Sequence, residues 1–183
     1  MSGPATGSPT PITVVVMGVS GAGKSAVARA LAECTGWTMA EGDDFHPAAN
    51  VAKMAAGEPL RDEDRWPWLR GIADWIGTQE LAGHSSVVTC SALRRSYRDL
   101  LRAGHHSVRF CQLDAVTTTL QARLEGRRDH YMPPSLLTSQ LATLQSLEDD
   151  EPGWRVDAEG DVVDVVRQVL QALADEKGHA GVG

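Results

Sequence analysis

The sequence predicts an α/β fold built on a parallel sheet of about five strands. Short apolar segments rich in β-branched residues, such as residues 12–17, are typical of strands that are buried on both faces. Segments with apolar residues at helical spacing, such as residues 24–34, alternate with these strands along the chain. This alternation is typical of one parallel sheet with crossover helices, and a chain of 183 residues is long enough to bury its core.

The predicted elements follow one another in a regular order. Strands are expected over residues 12–17, 37–40, 86–90 and 108–113 and near residues 154–156. Helices are expected over residues 24–34, 47–56, 65–76, 94–102, 116–124, 136–147 and 162–173. Gly36 favours the end of the first helix, because glycine readily adopts the left-handed conformation needed there. Pro67 lies near the start of the third helix, where a missing N–H costs least.

The remaining segments complete the expected domain organisation. We expect a flexible tail over residues 1–11 and one domain over residues 12–176, with a mobile lid at about residues 126–134. Residues 177–183 are expected to form a second flexible tail. The acidic stretch at residues 148–151 is expected to be a solvated loop.

Composition excludes several classes of protein. The formal net charge of −7 opposes binding to the phosphate backbone of DNA or RNA. No apolar run approaches the roughly 18–20 residues of a membrane span, and residues 1–11 lack the basic and apolar regions of a signal peptide. The three cysteines, Cys34, Cys90 and Cys111, are widely spaced among apolar neighbours, and we expect buried thiols in a reducing cytoplasm.

The strongest chemical signal is a glycine-rich loop between the first strand and the first helix. Its sequence GVSGAGKS matches the phosphate-binding pattern G-x-x-x-x-G-K-[ST] in full. The glycines let successive backbone N–H groups turn toward phosphate oxygens, and the start of the helix adds partial positive charge. Lys24 would reach the β- and γ-phosphates, and the Ser25 hydroxyl would bind Mg²⁺. The expected nucleotide contacts are Gly18, Val19, Ser20, Gly21, Ala22, Gly23, Lys24 and Ser25.

Acidic residues follow the second predicted strand, at the edge of the sheet where α/β proteins bind ligands. Glu41 and Asp43 lie there, and a carboxylate at this place would accept the proton of an attacking hydroxyl or hold Mg²⁺ through water. Further along the chain, Arg65 would hold a substrate carboxylate by a planar paired contact, or would form a surface ion pair with Asp62 or Glu63.

Basic residues follow the third and fourth predicted strands. Arg94, Arg98 and Arg102 share one helix face, and we expect Arg94 and Arg98 to meet an anionic substrate because they lie nearer the strand end. A second basic group would close over ATP and stabilise charge on the transferring phosphoryl group. That group comprises Arg123, Arg127, Arg128 and His130.

Several further segments accompany the glycine-rich loop GVSGAGKS. They are GDDFHP from residue 42, NVAKMAAGEPLRDEDRWPWL from residue 50, CSALRRSYRDLLR from residue 90 and HYMPPSLLTSQLATL from residue 130. Together these segments resemble the gluconokinase family, of the shikimate-kinase-like branch of P-loop kinases. The resemblance covers nearly the whole chain between residues 12 and 147, and the DDFHP and DEDRWPWL segments are far more specific than the loop alone.

The resemblance implies a three-layer α/β/α fold and ATP-dependent phosphorylation of D-gluconate at its 6-hydroxyl. It also implies Mg²⁺ and a homodimer. By motif match, Asp43 would orient and deprotonate the acceptor hydroxyl, and Arg65 would bind the acceptor carboxylate. Arg123 would pack on adenine, and Arg127 would act from the lid.

Other positions match the family less directly. His46 and His130 occupy family positions near the acceptor, and the resemblance implies that both contact the substrate. Glu41 stands where the family usually has Asp, which changes how this side chain would reach the water shell of Mg²⁺, and Ser25 and Glu41 are the expected metal contacts. Tyr131 stands where the family usually has Phe.

Two alternatives stay open. A kinase for another small hydroxylated acid, such as shikimate or a different sugar acid, would carry the same loop. A regulatory module that binds ATP without transferring phosphate would not need Asp43 or the basic segment of the lid. The absence of an N-K-x-D segment from the sequence disfavours a GTPase.

Overall fold

The computed structural model describes residues 10–126 and 134–180. Five parallel strands form one sheet in the order β2-β3-β1-β4-β5. The strands are β1 (Thr13–Met17), β2 (Thr38–Ala40), β3 (Ser86–Thr89), β4 (Val108–Asp114) and β5 (Gly153–Asp157). In the central register, Val15 lies beside Val88 on β3 and Phe110 on β4. All five predicted strands are therefore confirmed, to within two residues at each end.

Seven helices connect the strands or follow them in the described part of the chain. They are α1 (Lys24–Thr35), α2 (Ala48–Ala55), α3 (Asp62–Leu81), α4 (Arg95–Arg102), α5 (Thr117–Glu125), α6 (Pro134–Thr143) and α7 (Val162–Ala180). A 3₁₀ turn, Gly42–Phe45, follows β2. Helix α1 ends as predicted, with Gly36 in the left-handed conformation at φ +71°.

Three helices differ from the sequence prediction by more than two residues at an end, and one of them, α3, extends to Leu81 rather than to residue 76. Helix α3 begins at Asp62 rather than at residue 65, because the Asp64 carboxylate accepts a hydrogen bond from the Arg61 N–H and acidic residues stabilise a helix start. Helix α6 ends at Thr143 rather than at residue 147, because the Gln145 N–H donates to the Leu93 carbonyl instead of continuing the helix. Helix α7 continues to Ala180, into the segment that was expected to be a tail.

The helices cover both faces of the sheet. On β1, Val14 and Val16 face a core shared with Leu31 of α1 and Val169 of α7. Val15 and Met17 point to the opposite face, where they belong to a core shared with residues of α3 and α4, among them Leu69, Ile72 and Leu101. The alternation of buried residues along one strand confirms the predicted three-layer α/β/α arrangement.

Parallel strands bring three loops to one edge of the sheet. The loop after β1 carries the glycine-rich segment, the loop after β2 carries Glu41, and the loop after β3 starts at Cys90. These three strands are neighbours, so the loops at their carboxyl ends lie side by side.

Two further expectations concern the cysteines and the membrane. Cys90 and Cys111 are buried, and burial raises the pKa of each thiol to about 12, but Cys34 is exposed, contrary to the prediction. Within residues 10–126 and 134–180, none of the helices has the length and apolar character that crossing a bilayer requires.

Candidate active site

The glycine-rich loop has the backbone that phosphate binding requires. Gly21 has φ +84°, and a Cβ at this position would lie 2.9 Å from the Leu120 carbonyl oxygen, so a larger residue is excluded. The Lys24 Nζ donates to the Val19 carbonyl at 3.0 Å, which places the ammonium across the loop. The Ser20 N–H donates to Oε1 of Gln140 on α6 at 2.7 Å. The loop therefore connects directly to the helix that follows the predicted lid.

Oxygen atoms from three elements meet beside the start of α1. The Ser25 hydroxyl donates to Oε2 of Glu41 at 3.0 Å, and the Thr89 hydroxyl donates to the same oxygen at 2.7 Å. Across the described residues, no group of three or more His, Cys, Asp or Glu side chains is arranged to hold a metal ion. The hydroxyl and carboxylate oxygens fit Mg²⁺, which keeps several waters and needs only one or two protein ligands beside nucleotide phosphates.

The 3₁₀ turn after β2 packs closely against the end of β3. A Cβ on Gly42 would lie 1.9 Å from the Thr89 carbonyl oxygen, so only glycine fits there. The Gly42 N–H donates to the Thr89 hydroxyl at 3.0 Å, and the Gly42 carbonyl accepts from Nε1 of Trp68 at 2.7 Å. The turn that carries Asp43 is consequently fixed from both sides.

Asp43 leaves this turn toward solvent, with its side chain 95% exposed. The negative charge of Asp43 raises the pKa of the buried Cys90 thiol, and the positive charge of Lys24 lowers it. Lys24 and Asp43 therefore both lie near the loop that follows β3. The hydrogen bond from Ser25 to Glu41 joins the two segments directly, because Lys24 precedes Ser25 and Asp43 follows Glu41 by two residues.

His46 lies behind Asp43, with its side chain only 6% exposed. Its ring stacks on Trp68 with centroids 4.3 Å apart and an interplanar angle of 13°. Burial lowers the pKa of His46 below its ordinary value of 6.5, with the nearby Asp43 charge opposing and the Arg65 charge assisting the shift. The imidazole is therefore neutral at pH 7 and has little surface left to offer a substrate.

A cationic group from α3 and the start of α4 forms the outer side of the site. We call Asp62, Arg65, Arg94 and Tyr97 the arginine cluster. Arg65 lies 3.5 Å and Arg94 3.2 Å from the Asp62 carboxylate, and both guanidinium groups face the Tyr97 ring at about 6 Å. The Tyr97 hydroxyl donates to Asp62 at 2.5 Å. The ion pair with Asp62, which the sequence offered as the alternative for Arg65, is therefore present, and it holds two partly exposed arginines at one carboxylate.

Arg98 lies away from the arginine cluster. Its side chain is fully buried, and Nε and Nη2 donate to the two carboxylate oxygens of Glu151 at 2.6 and 2.8 Å. Nη1 donates to the carbonyl oxygens of Ala92 and Gln145. The expectation that Arg98 binds substrate is therefore wrong, and so is the expectation that residues 148–151 are solvated throughout.

Arg123 lies between the glycine-rich loop and the end of β5. Its guanidinium donates to the Ala158 carbonyl at 2.6 Å and to the Ala22 carbonyl at 3.5 Å. Arg127, Arg128 and His130, together with Tyr131, lie outside the described residues.

Four contributions to the site were not found from the sequence. Thr89 bonds to Glu41, Asn50 fixes His46, Gln140 binds the glycine-rich loop and Tyr97 joins Asp62. Thr89 had a positional signal, because it lies next to the end of a predicted strand at the ligand-binding edge. Gln140 and Tyr97 act through contacts between residues far apart along the chain, whereas Asn50 lies only four residues from His46.

Comparisons with known proteins agree with this geometry, although no protein-family model matches the chain. A gluconokinase from Gluconobacter oxydans is 53% identical over 149 residues, covering 81% of this chain and 84% of that protein. The thermosensitive gluconokinase of Escherichia coli is 39% identical over 160 residues, covering 87% and 86%. The crystal structure of a gluconokinase from Sinorhizobium meliloti has a TM-score of 0.84 at 41% identity, covering 95% of this chain and 99% of that one. With a complete phosphate loop beside Asp43 and relatives of this identity and coverage, the chain belongs to the gluconokinase family.

Proposed function

We propose that this protein transfers the γ-phosphoryl group of ATP to the 6-hydroxyl of D-gluconate. The observation that carries the proposal is the carboxyl edge of the sheet, where the Ser25–Glu41 hydrogen bond joins the phosphate loop to the segment that carries Asp43. Arg65 and Arg94 face the same tyrosine ring. A phosphate loop, an exposed carboxylate and a pair of arginines correspond to the phosphoryl donor, the hydroxyl and the carboxylate of such a reaction. Relatives that are named gluconokinases support the choice of acceptor.

The chain's own residues account for positioning and charge. The loop amides and Lys24 would hold the β- and γ-phosphates, while Asp43 would accept the proton of the acceptor hydroxyl as it attacks. Arg65 and Arg94 would hold the acceptor carboxylate at the far end. Orientation of this kind supplies much of the barrier reduction in phosphoryl transfer, which leaves little covalent work for the protein.

Magnesium would be held by the Ser25 hydroxyl, with Glu41 reaching it through water. When bound, the ion neutralises charge on the phosphate oxygens. The hydrogen bond between Ser25 and Glu41 supports this role, because it places the longer glutamate side chain at the hydroxyl.

The remaining contacts of the proposal are with the adenine and the lid. Arg123 would pack on adenine beside the loop, and Arg127 and His130 would act when the lid closes. The homodimer and the cytoplasmic location are proposed on the family resemblance, and light scattering measures the mass of the assembly.

An acceptor panel tests the proposed function. With ATP and Mg²⁺, ADP should form with D-gluconate, and the product should be 6-phospho-D-gluconate. Sorbitol, which has the same carbon chain without a carboxylate, should be a poor acceptor because it lacks the group that the arginines bind. Faster turnover with shikimate or another sugar acid would reassign the substrate, and slow ATP turnover unaffected by any acceptor would favour a regulatory module.

Replacing Arg65 by alanine is expected mainly to raise KM for gluconate. Loss of a hydrogen bond to a charged group costs about 1.5–3 kcal/mol, which corresponds to a factor of roughly 10–150. KM for ATP should stay near the parent value. Arg70→Ala is the matched control, because Arg70 is an exposed arginine on the same helix. An equal rise in both KM values would contradict the role of Arg65 in acceptor binding.

A further inference from the structure

A buried set of contacts holds His46 in one orientation. The ring stacks on Trp68, whose indole N–H donates to the Gly42 carbonyl. The His46 backbone N–H donates to the Asp43 carbonyl at 3.2 Å. Trp68 and the backbone of the 3₁₀ turn therefore fix the plane and the position of the imidazole relative to the residue that carries the proposed base.

Asn50 fixes which ring nitrogen carries the proton. Asn50 is 3% exposed, and its Nδ2 donates to the Asp64 carbonyl at 2.8 Å, which identifies that atom as the amide nitrogen because a carbonyl only accepts. The same Nδ2 lies 3.3 Å from Nδ1 of His46. Since an amide nitrogen only donates, Nδ1 must accept, and the proton of the neutral imidazole lies on Nε2.

The protonated nitrogen faces the proposed base. Nε2 of His46 lies 4.0 Å from Oδ1 of Asp43. This distance is longer than a hydrogen bond, but the exposed Asp43 side chain has room to turn toward the ring. The buried imidazole cannot turn to the same extent, because it is stacked on one face and bonded at Nδ1.

We propose that His46 is a positioning residue, which uses its Nε2–H to hold the Asp43 carboxylate in the orientation that receives the acceptor proton. Asn50 sets the tautomer of His46 and Trp68 sets the plane of its ring. Helices α2 and α3 therefore both contribute to the orientation of the Asp43 carboxylate. This proposal rests on the proposed function and deepens it. It assigns His46 a contact with the base in place of the direct substrate contact expected from the sequence.

The tautomer is tested on the intact protein by NMR with ¹⁵N-labelled histidine. The six histidines are distinguished by the loss of one set of signals in His46→Gln. Nδ1 of His46 should be unprotonated and Nε2 protonated at pH 7.5. Asp43→Asn should shift the Nε2 signal, whereas Asp44→Asn, a change in the neighbouring carboxylate of the same turn, should not. A proton on Nδ1, or equal shifts in both variants, would overturn the proposal.

A double-mutant cycle tests the effect on turnover. His46→Phe keeps a flat ring against Trp68 but has no N–H, and should lower kcat on the order of 10-fold without changing KM for ATP. His46→Gln, which offers an amide N–H, should recover most of that loss. In an Asp43→Asn background, His46→Phe should cost nothing more, because the carboxylate it positions is already gone. A full 10-fold loss in that background would show that His46 does not act through Asp43.

The experiments distinguish an error in the proposed function from an error in the positioning role of His46. If the parent enzyme does not phosphorylate gluconate, the proposed function is wrong, and the NMR shifts still decide whether His46 faces Asp43. If gluconate is phosphorylated but the cycle shows independent effects, only the positioning role is wrong. Far-UV circular dichroism checks that each variant is folded.

Discussion

Asp43→Asn is expected to lower kcat for gluconate phosphorylation by a factor on the order of 10² or more. Asparagine has the same size and keeps the hydrogen bonding of one oxygen, but it cannot take up the proton that the hydroxyl loses. The turn that carries residue 43 is held by Gly42, Thr89 and Trp68 rather than by the Asp43 side chain, so the substitution should leave the fold intact.

Single-turnover and steady-state kinetics measure this loss. KM for ATP should stay close to the parent value, because Lys24 and the loop amides remain. Asp44→Asn is the control for a change of charge in the same exposed turn, and its kcat should be near that of the parent. A parental rate in Asp43→Asn would remove Asp43 from proton transfer and leave phosphoryl transfer to positioning alone.

The sequence is sufficient to predict the order of strands and helices along the chain, because the strands are short, buried segments rich in β-branched residues. Boundaries are predicted less well wherever tertiary contacts decide them. Helix α6 ends early because the backbone of residue 145 bonds to the loop after β3, and no local pattern reports that contact. Helix α3 starts early because Asp64 caps it. Three successive acidic residues at its start are a local sequence signal for this boundary.

The residues of the site also differ in how well the sequence predicts them. The glycine-rich loop and the acidic turn after β2 are local motifs, and the structure places Lys24 and Asp43 near the same thiol. Arg94 and Arg98 look equivalent from helical spacing, yet Arg94 is 45% exposed and Arg98 is fully buried. Spacing predicts which residues share a helix face, but not how deeply each turn of that helix is covered by a distant segment.

The covering segment explains why Arg98 differs. Residues 145–151 lie over the start of α4, and Glu151 pairs with Arg98 while the Gln145 and Ser146 carbonyls accept from it. The Ala92 carbonyl, in the loop after β3, accepts as well, and Ala92 has a strained φ of +44°. An acidic stretch with no apolar pattern reads as solvated because its partner lies 53 residues away.

Breaking the buried pair between Arg98 and Glu151 should destabilise the protein by about 3–5 kcal/mol. Both side chains are fully buried, so removing either leaves a charge without a partner and without water. Glu151→Gln keeps the shape and one acceptor oxygen. Arg98→Met should be the more damaging change, because it strands the Glu151 carboxylate and also leaves the Ala92, Gln145 and Ser146 carbonyls without their donor.

Acid should weaken the same pair. Burial alone would raise the pKa of the Glu151 carboxyl, but the hydrogen bonds from Arg98 and from the Glu148 N–H hold it below its ordinary value of 4.5. A carboxyl whose pKa is lowered by folding contributes stability that is fully present above its unfolded pKa and is lost as the pH falls through the folded value. The difference between parent and Glu151→Gln should therefore be constant near neutrality and shrink below about pH 4.5.

Urea unfolding followed by tryptophan fluorescence measures both effects, with Arg95→Ala as the matched control. Arg95 starts the same helix and pairs with Glu148 and Asp150 of the same segment, but the carboxylates of that pair are largely exposed. Water replaces a lost partner there, so the destabilisation should be much smaller than for Arg98. Similar losses of unfolding free energy in Arg95→Ala and Glu151→Gln would mean that water reaches the pair between Arg98 and Glu151. Burial would then not distinguish the arginines of this helix.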